Sequence, residues 1–456
     1  MAAPIPIGVS YDVGSVNVLL VSTYELGHQP LHVASPAAAL GEAGHEVRIV
    51  DLSVHKLNRE DLEWCDGLAF SAPMHTAMRL AAQTARAVKT AIPHLPICAY
   101  GLYAGFGPEK GESPINHTIS GEYESGLLRW ADAIDRGSPP PPSQIVELGK
   151  TRFRLPARSS LPALDQYAHL QLGADRRKVG YVEASHGCRH RCRHCPIPAV
   201  YDGKIRIVDE DIVLEDIAQL VDMGARHITF GDADFLNAPA HSLRVVRSLH
   251  SRQPQLTFDV TTKVELIVRH ASLWAELAAS GLLFVVSAFE TTNNQILDLL
   301  AKGHTLADEE AAIELLRGEG IEIRPTWLPF TPWTTLDDLH DIVRFLAEKD
   351  LVGNVDPVQL TIRLLIPKGS LLLEVPDLVP YLGAYDPALL GWQWHAADPR
   401  VDALHARLTE LLDRGLNAGL ENGEMFAVLA GEIMELPDYS IPIAEGRPRL
   451  TEPWFC

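Results

Sequence analysis

Short apolar segments alternate with helical segments along most of this chain, and that alternation restricts its fold more than any other feature. In the first run, the predicted strands are residues 16–22, 45–52, 66–72 and 96–100, and the predicted helices include 34–44 and 76–92. Gly44 is a suitable stop for the first helix, because glycine adopts the left-handed conformation that ends many helices. Apolar strands separated by helices predict a parallel, doubly wound sheet, which binds ligands at the carboxyl ends of its strands.

A second run begins near residue 178, with predicted strands at residues 179–184, 227–230, 256–261, 283–288, 321–328 and 358–365. Six βα units in series predict a partial barrel, since a full barrel has eight. Residues 401–415 then predict a helix, and a second apolar stretch follows at residues 425–434. The predicted fold class is therefore α/β: a doubly wound parallel sheet, followed by a partial (β/α)6 barrel and a small helical carboxyl-terminal region.

A proline-rich segment separates the two runs. The sequence from Gly137 to Ser143 contains four consecutive prolines, which is typical of a stiff, extended spacer. We therefore predict an amino-terminal domain at residues 1–136, a linker at 137–177, a barrel at 178–372, and a carboxyl-terminal region and tail at 373–456.

The charge balance limits the classes of partner. The chain has 39 Lys and Arg residues against 59 Asp and Glu, a formal net charge of −20 at pH 7. Binding of phosphate backbones needs clustered basic residues, so we do not expect nucleic acid as a partner. No apolar run approaches the ~20 residues that span a bilayer, and no positively charged leader begins the chain. We expect a cytoplasmic protein without a membrane partner.

Three of the six cysteines fall within eight positions, directly after the first strand of the second run: Cys188, Cys192 and Cys195. Six cysteines in a chain of this length do not indicate a disulfide framework, and a tight cluster indicates metal or redox chemistry. Three thiolates can hold three irons of a cubane cluster and leave the fourth iron open to a substrate. The neighbouring arginines are expected to lower the thiol pKa values.

Zinc is the alternative ligand for this segment, because three histidines lie among the cysteines: His186, His190 and His194. A structural zinc site would normally add a second ligand pair further along the chain, and no second cysteine pair occurs.

The cysteine spacing, its position after a strand and the six βα units resemble the radical S-adenosylmethionine (SAM) superfamily over residues 178–370. The resemblance implies a [4Fe–4S] cluster on the three cysteines, with SAM on the open iron. It also implies an electron donor such as flavodoxin or ferredoxin. Family members usually carry an aromatic residue before the last cysteine, near the adenine, and this sequence has His194 there.

The same resemblance implies further contacts with SAM. Asp232 and Asp234 follow the second strand, where family members contact the SAM amine, and Glu290 ends the fourth strand, where they contact the ribose or methionyl end. The alternative for both aspartates is a helix cap or a turn, which Asp also favours.

Two basic residues complete the candidate set. Arg324 lies inside a predicted strand and is expected to hold a carboxylate or phosphate in the barrel lumen, with a salt bridge at the barrel end as the alternative. Lys302 is expected to be a solvated lysine at a helix end.

Residues 15–135 resemble the cobalamin-binding domain that precedes many radical SAM enzymes. The resemblance is carried by residues 44–51, by Ser71, and by Gly121-Glu122 near the end of the domain. No Asp-x-His-x-x-Gly segment occurs, so a histidine on cobalt is not indicated. The alternative is a retained fold that only packs against the barrel.

The sequence ends in Trp454-Phe455-Cys456. This ending resembles a group of radical SAM proteins whose tail has cysteine followed by cysteine or selenocysteine and then Ala-Glu-Pro. A UGA codon read as a stop would truncate such a chain after Cys456, and the alternative is a disordered end.

The expected function is reductive cleavage of SAM, leading to cobalamin-linked methyl transfer or rearrangement on a small molecule or peptide. A second hypothesis is radical transfer of a SAM-derived group, without cobalamin, to a soft acceptor held by the terminal cysteine. A third is a non-catalytic iron–sulfur redox sensor.

Overall fold

The computed structural model describes residues 14–107, 113–138, 144–150, 152–436 and 446–451. The amino-terminal part alternates strands and helices. Its strands are β1 (Asn17–Ser22), β2 (Glu46–Asp51), β3 (Gly67–Ser71), β4 (Ile97–Tyr100), β5 (His117–Gly121) and β6 (Gln144–Glu147). Its helices are α1 (Leu31–Glu42), α2 (Arg59–Trp64), α3 (His75–Ala91) and α4 (Glu124–Asp135).

These six strands form one parallel sheet in the order β2-β1-β3-β4-β5-β6. Alternate residues of β1 pack into two different hydrophobic clusters, one on each face of the sheet. Leu19 and Val21 belong to one cluster, and Val18 and Leu20 belong to the other. Both faces of the sheet are therefore covered, which explains why its strands are apolar without alternation. The predicted doubly wound sheet is confirmed. The strand order reverses beside β1, and in such sheets this is the position of the ligand crevice.

The second half contains a longer series of elements. Its strands are β7 (His169–Leu172), β8 (Asp175–Val182), β9 (Ser185–Gly187), β10 (Ile205–Ile207), β11 (His227–Phe230), β12 (Thr257–Thr261), β13 (Leu282–Glu290) and β14 (Glu322–Trp327). Its helices are α5 (Ile197–Tyr201), α6 (Glu210–Asp222), α7 (Pro239–Arg252), α8 (Val264–Arg269), α9 (Trp274–Ala279), α10 (Asn294–Leu299), α11 (Leu306–Gly318) and α12 (Leu336–Glu348). The carboxyl-terminal elements are β15 (Leu382–Asp386), β16 (Gly391–Trp394), α13 (Pro399–Ala418), α14 (Asn422–Ile433) and β17 (Arg449–Leu450).

The larger sheet of this half has the order β14-β13-β12-β11-β8-β7-β17. Strands β8, β11, β12, β13 and β14 are parallel, and β7 and β17 run antiparallel at one edge. Helices α11 and α12 both begin with capping boxes, at Thr305 and Thr335, which satisfy exposed N–H groups of the first turn. The predicted curved, partial barrel is confirmed.

The prediction of a sixth barrel strand at residues 358–365 is wrong. Residues Pro357–Thr361 form a 3₁₀ helix, and only a single parallel bridge, between Phe330 and Arg363, occupies the sixth position. Pro357 begins this 3₁₀ helix, where its fixed φ suits the first turn and its missing N–H is not needed. The guanidinium of Arg363 lies 3.6 Å above the ring of Trp394.

The segment predicted as a linker contributes strands to both halves. Strand β6 joins the first sheet through β5, and β7 and the start of β8 belong to the second. Arg158 is fully buried between the halves. The division into domains stays a prediction. Within the described residues, no helix combines the length and the apolar character needed to cross a membrane.

Candidate active site

The three clustered cysteines lie in the loop between β9 and α5, at the carboxyl end of the barrel strands. Cys188 and Cys192 are each 8% exposed, Cys195 is half-buried, and all three line one cavity of about 130 Å³. Gly187 starts the loop with φ +78°, and a Cβ there would collide with the carbonyl oxygen of Lys204. Only glycine fits this turn without strain, so it fixes the direction in which the cysteines leave β9.

The three thiols are unpaired and face the same cavity. Within the described residues, no three Cys, His, Asp or Glu side chains converge on a single ion. A cubane does not need such convergence, because each cysteine ligates a different iron. The arrangement therefore fits the cluster that the sequence predicts.

The prediction that neighbouring arginines lower the thiol pKa values is wrong for two of the cysteines. Burial raises the pKa of Cys195 to about 12 and raises that of Cys188 as well. Arg189 and Arg191 are exposed, so their charges are screened by water. A bound metal is what would hold these buried groups as thiolates.

A buried charged triad borders the cysteines. Nζ of Lys302 lies 2.9 Å from Oε1 of Glu290, and Nε2 of His194 lies 3.0 Å from the same oxygen. Burial alone would raise the pKa of Glu290, but the charges of Lys302 and His194 outweigh burial and hold it well below its usual range. Lys302 is only 3% exposed, so the prediction of a solvated lysine is wrong. All three residues line the cysteine cavity.

Asp232 and Asp234 are not among the residues that line the cysteine cavity. Asp232 accepts hydrogen bonds from the N–H of Ala184 at 2.9 Å and from Oγ of Ser185 at 2.6 Å. Asp234 accepts from Oγ1 of Thr262 at 2.7 Å and caps the 3₁₀ helix that follows it. Burial raises the pKa of Asp232 to about 7 and that of Asp234 to about 6. The cap formed by Asp234 matches the cap alternative, whereas Asp232 instead binds the segment that follows β8. A contact of either aspartate with SAM stays a prediction.

Arg324 lies apart from the cysteines. It donates hydrogen bonds to the carbonyl oxygen of Pro448 at 3.2 Å and to Oδ2 of Asp356 at 3.3 Å. It lines two other cavities, one in the barrel lumen and one at the amino-terminal end of the barrel strands. Cys456, the basis of the tail hypothesis, lies outside the described residues.

A larger cavity, of about 220 Å³, lies between the two halves of the chain. One wall comes from loops at the carboxyl ends of the first sheet, including Leu26, Met74 and Leu102. The opposite wall comes from the barrel and includes Ile197 and Ala233, which also line the cysteine cavity. The crevice of the first sheet therefore faces the cysteines across two shared residues.

An ionisable network that the sequence did not predict crosses this interface. His32 of α1 lies 3.4 Å from Glu183 of the barrel, and His186 lies 3.1 Å from Glu122 of the first half. Burial alone would lower the pKa of His32, but the charges of Glu183 and Glu25 outweigh burial and raise it to about 9. Only the docking of the two halves pairs these groups, so no local pattern in the sequence could have found them.

Comparison with known proteins places part of the chain in a family. Residues 182–346 match the family model of the Radical SAM superfamily. The hopanoid C-3 methylase of Methylococcus capsulatus is 22% identical over 334 residues, which cover 67% of this chain and 62% of that protein. This chain thus spans less than two thirds of the length of that relative.

Two solved structures share the architecture. The cobalamin-dependent SAM radical enzyme OxsB, with aqua-cobalamin and SAM bound, superposes with a TM-score of 0.71 at 15% identity, covering 91% of this chain and 68% of OxsB. The radical SAM methyltransferase TsrM from Kitasatospora setae, with tryptophan and a SAM analogue bound, gives 0.60 at 19% identity, covering 74% and 72%. At these identities the likeness establishes the fold.

The family match covers the curved sheet that carries the cysteine loop. Together, the match, the three cysteines and the partial barrel identify residues 182–346 as a radical SAM domain, for which a [4Fe–4S] cluster and SAM are the implied cofactors.

Proposed function

We propose that this chain is a cobalamin-dependent radical SAM methyltransferase that acts on a small molecule or peptide. One observation carries the proposal: Ile197 and Ala233 line both the cysteine cavity and the cavity between the halves. A group bound against the first sheet would therefore lie beside a cofactor bound at the cysteines. Such proximity is what transfer between two cofactors and one substrate requires.

In this proposal Cys188, Cys192 and Cys195 would each hold one iron of the cluster and leave one iron open to SAM. Glu290 would accept hydrogen bonds from the ribose hydroxyls of SAM, and His194 would stack on its adenine. Lys302 keeps Glu290 ionised, because the two charges lie 2.9 Å apart in a buried position. When bound, the cluster and SAM supply a carbon radical, and cobalamin supplies the methyl group.

The cavity between the halves has features that suit a corrin. Four glycines line it with backbone atoms, at positions 101, 121, 187 and 231. A Cβ at each would meet protein atoms, so close packing within the protein accounts for these glycines. Leu26, Met74 and Leu102 add an apolar face. Its volume of about 220 Å³ is below the ~300–1,000 Å³ typical of pockets for drug-sized ligands. A corrin is larger than this cavity, so its entry requires the two walls to move apart.

The relatives support the same reading by their names alone. One is called a methylase, one is described with aqua-cobalamin and SAM bound, and one is called a methyltransferase.

The test is anaerobic reconstitution with iron, sulfide and hydroxocobalamin, followed by reduction in the presence of SAM with a deuterated methyl group. The expected result is about one cobalamin per chain after gel filtration, deuterium recovered with that cobalamin, and formation of 5′-deoxyadenosine. A protein that forms 5′-deoxyadenosine but retains no cobalamin contradicts the proposal and favours the cobalamin-independent hypothesis. A protein with a cluster but no SAM cleavage favours the redox sensor.

The proposal includes an external electron donor of the flavodoxin or ferredoxin type. The cysteine loop exposes Arg189 and Arg191, which suit an acidic carrier on a chain that is acidic overall. Replacing dithionite by reduced flavodoxin should still support SAM cleavage, with a rate that falls as salt is raised.

A further inference from the structure

A cavity of about 450 Å³ opens at the amino-terminal end of the barrel strands, on the side away from the cysteines. It is bordered by the turn between β7 and β8, the segment after α12, the start of α14, and β17. Three arginines line it, Arg324, Arg447 and Arg449, against two carboxylates, Asp356 and Glu421. Its charge is therefore opposite in sign to the net charge of the chain.

The three arginines differ in how well they are satisfied. Arg447 donates to Asn354 and to both the backbone and the carboxylate of Asp350. The guanidinium of Arg449 has no hydrogen bond or ion pair with any residue that the structure describes, although it is half-buried. Arg324 uses two hydrogen bonds of the five that a guanidinium can donate.

Arg324 and Arg449 are near enough to repel each other. Burial lowers the pKa of the Arg324 guanidinium, and the charge of Arg449 lowers it further, while Asp356 acts in the opposite direction. Two like charges beside a cavity are unfavourable, because the low local dielectric strengthens their repulsion. An anion between them would remove that repulsion and accept the unused N–H groups.

A narrow lumen, about 40 Å³ in volume, shares lining residues with this opening and with the two proposed cofactor cavities. Arg324 and Asp356 line both the lumen and the opening at the amino-terminal end of the strands. Thr261 lines both the lumen and the cysteine cavity. Leu26 and His28 line both it and the cavity between the halves. The lumen therefore shares lining residues with each cavity that the proposed reaction uses.

Strand register gives the distance along this path. Thr261 pairs with Val286, and Val286 pairs with Arg324, so Thr261 and Arg324 lie in one row two strands apart. Neighbouring strands are ~4.8 Å apart, so the separation is about 10 Å. A small molecule held at Arg324 can reach the cysteine cavity with its other end.

We infer that the substrate is a small molecule bearing a carboxylate or phosphate group, and that Arg324 and Arg449 bind this anionic group at the amino-terminal end of the barrel. The inference rests on the proposed function, since it places the opposite end of the substrate where the two cofactor cavities meet the lumen. Arg449 supplies the unpaired guanidinium, and the planar fork of each arginine matches a carboxylate or a phosphate.

The test uses isothermal titration of the reconstituted full-length protein with orthophosphate and, separately, with acetate. Ionic strength is held constant, and SAM is present to occupy the open iron. Saturable binding of at least one anion is expected, and Arg449→Gln should weaken it by about tenfold or more. Arg449→Lys should restore part of the affinity, because it keeps the charge but loses the fork. The tighter of the two anions identifies the substrate group as phosphate or carboxylate.

Arg414→Gln is the matched control, because Arg414 is exposed and paired with Glu410 on α13. Absence of saturable binding in the wild type, or equal weakening in Arg414→Gln and Arg449→Gln, would overturn the inference. Arg324→Gln should weaken binding too, but its buried position makes a folding check by circular dichroism necessary. Anion binding does not depend on SAM cleavage, so failure of this test is distinct from failure of the proposed function.

Discussion

The Nε2 atom of His194 and the Nζ atom of Lys302 both contact Oε1 of Glu290, at 3.0 and 2.9 Å. One carboxylate oxygen thus joins the cysteine loop, the last residue of β13 and the segment before α11. Glu290 also has φ +71°, a left-handed conformation that is uncommon for residues other than glycine. Strained, buried and paired residues of this kind concentrate at functional sites.

Replacing Glu290 with Gln should destabilise the protein strongly. The change removes one partner of a buried pair and leaves Lys302, 3% exposed, without a counter-charge. Breaking a buried pair in this way costs about 3–5 kcal/mol. Urea unfolding of the anaerobic apoprotein would measure the loss. Glu276→Gln is the control, because Glu276 pairs with Arg247 on an exposed surface. Equal destabilisation by both substitutions would contradict the prediction.

Each single substitution Cys188→Ala, Cys192→Ala or Cys195→Ala should abolish most of the bound iron. A cubane held by three thiolates has no spare protein ligand, so the loss of one exposes a second iron to solvent. Iron and sulfide analysis of anaerobically purified protein is the measurement, with about four of each expected in the wild type. Cys98→Ala is the control, since Cys98 is fully buried in β4, outside the cysteine cavity. A Cys188→Ala variant with its full iron and sulfide content would refute the ligand assignment.

The two sheets were predictable from sequence because burial on both faces leaves a local signal. Residues 18–21 of β1 are apolar without interruption and fully buried, and Gly44 has the positive φ expected after the first helix. The cysteine loop was also predictable, because the spacing of its three cysteines is itself a local signal in the sequence. The failed strand at residues 358–365 shows the limit of apolar content as a guide. Pro357, just before this segment, starts a 3₁₀ helix, a preference that apolar content does not report.

Long-range pairings were not predictable. The burial of Lys302 depends on Glu290, which arrives from the end of a different strand, and a lysine after a helix is usually solvated. The exclusion of Arg324 from the cysteine cavity depends on Asp356 and Pro448, which approach it from separate segments. These contacts are fixed by how the elements pack, so single-sequence patterns do not contain them.

Arg158→Lys should destabilise the contact between the two halves. Arg158 is fully buried and makes a two-pronged pair with Asp216, with bonds of 2.9 and 2.8 Å. It also donates to the side chain of Gln29 in the first half and to the carbonyl oxygen of Tyr181 in the barrel. Lysine keeps the charge but cannot reproduce the planar fork, so a loss of about 3 kcal/mol or more is expected.

Hydrogen exchange and thermal unfolding would measure this effect, with faster exchange expected in both α1 and β8. Arg407→Lys is the matched control, because the exposed pair of Arg407 with Glu432 should contribute less than about 1 kcal/mol. Slower or unchanged exchange in Arg158→Lys would show that the buried pair does not join the halves.

The ion pair between His32 and Glu183 should make the docking of the halves weaker at alkaline pH. The pKa of His32 is raised to about 9 in the folded protein, against about 6.5 in the unfolded chain. A raised histidine pKa gives stability that is complete below the unfolded value and lost as pH rises through the folded value. The pair should therefore contribute fully near pH 6.5 and progressively less through pH 9.

A double-mutant cycle of His32→Asn and Glu183→Gln isolates this contribution. The pKa of Glu183 is lowered to about 2, so it stays ionised across the alkaline window. Burial raises the pKa of Glu25 to about 7, and the charges of Glu122 and Glu183 outweigh burial and raise that of His186 to about 10. Both groups are present in every protein of the cycle, so its coupling free energy reports the pair of His32 with Glu183. The coupling free energy should be on the order of 3 kcal/mol at pH ~6.5 and near zero above pH ~10. Urea unfolding of the wild type, both single variants and the double variant at several pH values would measure it. A coupling energy that stays constant over this range would show that the charge of His32 does not change between these pH values and that the interface has no pH-dependent ion pair at this position.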